Sequence, residues 1–185
     1  MSAAQDRIIE WAKNIKESNP AEWNRLPEIY LYMDQVLTYM NKQLHLFERD
    51  ENTCLLSSSM INNYVKDGVL PRPNQKKYSR EHLALLTVIC MLKQVLTIQD
   101  IKTLITTLLQ DASKSEMYDR FSEAQIAAMK DVSSRVMETA SQGESNLTRL
   151  AIELSVEANA RRTAAERILS ELAKEEGTND KKSKK

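Results

Sequence analysis

A chain of 185 residues with only 3 glycines and 4 prolines, in which 26 Lys+Arg balance 26 Asp+Glu, points to one substantial, mostly helical domain with an extension. Zero net charge excludes a uniformly basic body that binds nucleic acid without preference, so any attraction of that kind has to be local. No apolar run reaches the roughly 18 residues of a membrane span, no stretch reads as a cleavable leader, and Cys54 and Cys90 lack metal or redox spacing; a reduced, cytoplasmic protein with no membrane, metal or cofactor is expected.

In chain order, Ile8, Ile9, Ala12 and Ile15 predict an amphipathic helix over Ala3–Glu17, stopped by Asn19-Pro20. A second helix follows Pro27 and carries the stripe Met33, Val36, Leu37, Met40 and Leu44. The polar run Glu48 to Thr53 predicts a loop. Ser57 or Ser58 then offers an N-cap to a short helix whose Met60, Ile61, Tyr64 and Val65 face inward. Gly68 stands where a left-handed residue would end it, and Pro71 prevents continuation.

From Ser79 a densely apolar helix, EHLALLTVICMLKQ, is expected at the centre of the domain. Thr97 to Asp100 reads as a capping box opening a helix with Ile98, Ile101, Leu104, Ile105, Leu108 and Leu109. Beyond Ser113 two long helices divide near Gln142-Gly143. Their stripes are Tyr118, Phe121, Ala128, Val132 and Val136, then Leu147, Leu150, Leu154, Ala158, Ala165, Ile168 and Leu172. Neither can stand alone, so they must be covered by each other, by the N-terminal helices, or by a second subunit. The expected division is an N-terminal helix over 1–25, the central domain over 26–112, a helical extension with a candidate homodimer seam over 113–176, and a disordered basic tail over 177–185.

The chemistry concentrates between Ser58 and Lys93, where six cations face two acids for a local charge of +4. With its apolar side buried, the short helix presents Ser59, Asn62, Asn63 and Lys66. Asn can bond bidentately to the adenine edge, Ser to a base or phosphate, and Lys neutralises phosphate. The following PRPNQKKYSR holds Arg72, Lys76, Lys77 and Arg80 in a segment stiffened by two prolines. A polar-faced helix beside a rigid basic loop has the outline of a winged helix-turn-helix.

The stretches MINNYVKDGVLPRP, KKYSREHLALL and LKQVLTIQDIKTLI, within Ser57 to Leu109, resemble the N-terminal DNA-binding domain of the MerR regulators. In that resemblance Ile61 and Tyr64 take family core positions, Gly68 and Val69 the turn, Tyr78 the last tyrosine of the wing, and Thr97, Ile98 and Ile101 the final helix signature. Asn62 and Asn63 replace the family's Arg and Tyr, Lys76 its wing Arg, Gln75 its first wing Tyr, and Val95 its Gly, so base preference does not transfer. With LYMDQVLTYM added, the chain from Leu26 to Leu109 is more similar still to an uncharacterised bacterial family of unknown function with a MerR-like helix-turn-helix. The resemblance implies an all-α fold with a MerR-like winged helix-turn-helix core, and a transcriptional regulator binding double-stranded DNA.

Other chemistries find little support. His45 and His82 are isolated from any ligand or nucleophile pattern, and Gly68, Gly143 and Gly177 cannot build a phosphate loop, so no catalytic residue is expected. Met33, Met40, Met60 and Met91 lie on apolar stripes as core fillers. Arg161 and Arg162 have Glu157 and Glu166 at helical spacing. No effector-binding domain is recognised after Ser113. The alternative reading is an adaptor or anti-repressor that docks protein on the same scaffold; neutral overall charge favours it.

Overall fold

The structure, a computed structural model, describes residues 2–47 and 54–182, with side chains as far as Lys174. The described residues form seven α-helices and no β-strand. The loop expected over 48–53 lies outside them.

Helix α1 (Ala3–Glu17) starts in a reciprocal cap between Ser2 and Gln5 and ends at Ser18. After a 3-10 turn at Trp23–Arg25, α2 (Met33–Leu44) buries Val36, Met40 and Leu44 as its stripe predicts. Helix α3 (Ser58–Lys66) is capped by Ser57, whose hydroxyl accepts from the Met60 amide at 3.3 Å. Helix α4 (Arg80–Leu92) is the hub, with every residue from His82 to Cys90 buried. A helix apolar on all sides is stable only when covered on all sides. The core around it draws on α2, α3, α5 (Ile98–Asp111) and the first turns of α6 (Lys114–Ala140).

The predicted capping box at Thr97 and Asp100 forms in both directions, at 3.2 and 3.3 Å, and one of the same type opens α6 between Ser113 and Glu116. Helix α6 then outruns the central domain. Its far half packs along α1, where the Ser133 hydroxyl donates to the Ala12 carbonyl at 2.8 Å and the Gln5 amide to that of Ala140 at 2.9 Å. Gly143, at φ +113°, turns the chain into α7 (Glu144–Lys182), which folds back along α6. A second core joins Ala12, Val136 and Leu150. Further on, Leu169 and Ala165 of α7 enter the main core beside α5.

The helical extension is therefore covered in part by its own chain, and the start of α6 belongs to the central core: Met117 and Tyr118 are buried there, and the Tyr118 hydroxyl donates to the Ala21 carbonyl at 2.8 Å. Single positions in the two stripes need correcting. Ala128, Ala158 and Ile168 are exposed, and Leu169 takes the buried position assigned to Ile168. Helix α7 continues through Lys182, past Gly177. Cys90 is buried as a packing residue, but Cys54 is exposed. Arg161 and Arg162 pair with Glu157 and Glu166 as their spacing predicts. No helix of the described residues is long and apolar enough to cross a membrane.

Leu86, at the centre of α4, is fully buried. Leu86→Ala should lower the unfolding free energy by about 2–5 kcal/mol in urea titration, whereas Ile168→Ala should change it by less than about 0.5 kcal/mol.

Candidate nucleic-acid interface

Helix α3 turns Ile61 and Tyr64 into the core and leaves Ser59, Asn62, Asn63 and Lys66 exposed as one continuous row at three- and four-residue spacing. The trailing helices do not cover this row. Among the described residues these four side chains have no hydrogen-bond or ion-pair partner, so their polar capacity is available.

The end of α3 is held firmly. Gly68, at φ +70°, donates to the Val65 carbonyl at 3.2 Å, and Val69 donates to that of Tyr64 at 2.9 Å. Together these two bonds form a Schellman motif, which explains the glycine. Lys102 of α5 donates to the Asp67 carbonyl at 2.9 Å, placing another cation at the negative end of the helix. Buried Val69 and Leu70 then anchor the root of the basic loop.

That loop is a minimal hairpin. Leu31, just before α2, exchanges both backbone hydrogen bonds with Tyr78, at 2.9 and 2.8 Å, and buried Tyr78 meets His82 edge to face. At the tip, the Lys77 amide closes onto the Asn74 carbonyl at 2.8 Å, with Gln75 and Lys76 at φ +49° and +62°. Two central residues with positive φ are the pattern of a type I′ turn, normally filled by Asn and Gly. For ordinary side chains this conformation costs roughly 1–2 kcal/mol per residue. The strain presents Lys76 at the exposed apex.

The eight residues singled out in the sequence do not all meet this description. Ser59, Asn62, Asn63, Lys66, Arg72 and Lys76 are exposed, and Lys66 and Arg72 line the same groove. Lys77 is half-buried, with its ammonium 5.5 Å from the centroid of the Tyr32 ring. Arg80 is held differently: it donates to the Leu26 carbonyl at 3.2 Å and to Glu28 at 2.7 Å, and its guanidinium lies over Trp23. It ties α4 to the segment before α2. The fold supplies other cations: Lys93, over the Tyr64 ring at 5.5 Å, and Lys102 and Lys114 from α5 and α6. Lys93 counted toward the local charge in the sequence. Lys102 and Lys114 gave no local signal, because only folding carries them to the end of α3.

His82 connects α4 to the loop root. Its Nδ1 accepts from the Ser79 amide at 3.1 Å and lies 2.8 Å from the Ser79 hydroxyl, so the ring proton is on Nε2. Nε2 is buried without a hydrogen-bond partner among the described residues, and the backbone carbonyls of Arg72 and Pro71 act on the ring. Burial lowers the imidazole pKa; those carbonyls and Glu81 oppose the shift, and Lys114 assists it. Tyr64, on the buried side of α3, is pushed up to about 12, first by burial and then by Cys90.

The chain belongs to the family described as Domain of unknown function (DUF1836), whose model matches residues 21–127, more than half of the chain. The match runs from the segment before α2 into the first half of α6, so the family unit includes the hub, the α3 row and the hairpin but excludes α1 and α7. No curated protein and no solved structure matches the chain.

The hairpin strain and His82 each yield a prediction. Lys76→Gly should raise the unfolding free energy by about 1 kcal/mol in urea titration, because glycine adopts positive φ without the Cβ penalty. His82 stays neutral in the fold below the pH near 6.5 at which it protonates in the unfolded chain. The unfolded state then binds more protons, so stability should fall as pH drops from about 6.5 toward the lowered folded value. His82→Gln should remove that component, read as the difference between unfolding curves at about pH 7.5 and 5.5.

Proposed function

We propose that the chain is a DNA-binding transcriptional regulator with a MerR-like winged helix-turn-helix core. In this reading α3 enters the major groove with Ser59, Asn62 and Asn63 toward base edges. Lys66, Arg72, Lys76 and Lys77 contact phosphates, the last two from the hairpin wing. The observation that carries the reading is the exposed, unpartnered polar row of α3 beside a hairpin whose strained apex displays a lysine. Strained backbone with ordinary side chains persists where its surroundings enforce it, and it concentrates at functional sites. A homodimer seated on residues 113–176 would pair two such surfaces on an inverted repeat. Exposed Ile152 and Val156, one turn apart on α7, support this, and a compact monomer in sedimentation at micromolar concentration would exclude it.

The second reading, a protein-docking adaptor on the same scaffold, is favoured by Ile29, Tyr30 and Tyr32, which are 70%, 60% and 51% exposed beside the hairpin. Duplex binding across a salt series separates the two. DNA reading predicts that Lys76→Ala lowers the slope of log affinity against log salt by about 0.9. Asn62→Ala should leave that slope in place and erode discrimination between duplex sequences by about 1–3 kcal/mol. Arg80→Ala, whose charge is already paired with Glu28, should leave the slope unchanged. Absence of binding to any duplex at low salt supports the adaptor.

A further inference from the structure

Between the end of α3, the loop root and helices α5 and α6 lies an open groove of about 580 Å³. Its floor is apolar, formed by Val65, Val69, Leu70, Leu85, Ile105 and Leu109. Its rim carries Lys66, Arg72 and Lys114, and none of the lining residues bears a carboxylate. Lys114 is paired with Glu81, while Lys66 and Arg72 have no ion-pair partner among the described residues. The amine of Lys102 stands beside Gly68 at one end.

The volume is that of a small-molecule site. A phosphate backbone could satisfy the rim and would leave the floor wet. A ligand that satisfies both has an anionic head and a hydrocarbon body. We propose that this groove binds a small amphipathic carboxylate, its head between Lys66 and Arg72 and its chain along the floor. Because the proposed DNA contacts use the same two cations, occupancy lowers DNA affinity; this consequence alone rests on the DNA reading.

The test is an amide-resolved NMR titration of the full chain with acetate, butyrate, hexanoate and octanoate, and with 1-octanol as the uncharged counterpart of the last. Saturable shifts confined to residues 65–72, Leu85 and residues 105–114 are expected, with affinity rising about fourfold per added methylene. Binding of 1-octanol should be at least tenfold weaker. Thr106→Trp, at an exposed rim position, should block octanoate without moving the urea midpoint. Arg72→Gln should weaken octanoate at least tenfold and leave 1-octanol unchanged. Absence of saturable octanoate binding, equal affinity for the alcohol, or an indifferent Thr106→Trp variant overturns the site. Octanoate should also weaken duplex binding by the parent protein and not by Thr106→Trp; a groove that fills without that effect overturns the competition. A chain that binds no duplex at all refutes the function proposed above, while the titration still decides the groove.

Discussion

Everything in this molecule is arranged around the need to cover α4. Its buried run from His82 to Cys90 has no polar face to offer water, so helices must approach it from every side, and α2, α3, α5 and α6 do so. A short helix such as α3, with nine residues, has little stability of its own. It persists because Ile61 and Tyr64 are inserted into that shared core, and insertion of one side leaves the opposite row facing outward. The exposure of Ser59, Asn62, Asn63 and Lys66 is thus a consequence of how the hub is buried.

The hairpin depends on the same core for a different reason. Two extended segments joined by one pair of hydrogen bonds, Leu31 with Tyr78, would not hold in water by themselves. Burial of Leu31, Leu70 and Tyr78 fixes both ends of the loop, and the edge contact with His82 continues the link into α4. That anchoring offsets the cost of Gln75 and Lys76 in the left-handed region. The result is a cationic apex at a defined position relative to α3, as required for two elements to act on one partner.

Beyond the family unit, α1 and α7 serve the long α6. Gln5 and Ser133 bind backbone carbonyls across the α1 and α6 interface, satisfying polar groups in an otherwise apolar contact. Arg135 of α6 grips Glu157 of α7 with two hydrogen bonds, at 2.9 and 2.8 Å, which hold the Glu157 carboxyl below its usual range. These contacts give the extension its own small core and return Leu169 to the main one, tying the far end of the chain to the domain that carries the proposed interface.

The helices themselves were readable in the amino-acid order, because their boundaries are set by short-range bonds: Ser57 to the Met60 amide, the Thr97 and Asp100 box, and Gly68 and Gly143 at positive φ. The α3 row was readable for the same reason, since a helix with two buried positions defines its outer side. What the tertiary structure alone decided were relations between distant residues. Arg80 is drawn to Glu28 and the Leu26 carbonyl, Lys102 and Lys114 arrive at the end of α3 from other helices, and a slip of one residue, about 100° around a helix, places Leu169 inward where Ile168 was expected. Local order determined which groups were made; packing across the fold determined which charges remained free, because an ion pair depends on distance in space and is indifferent to separation along the chain.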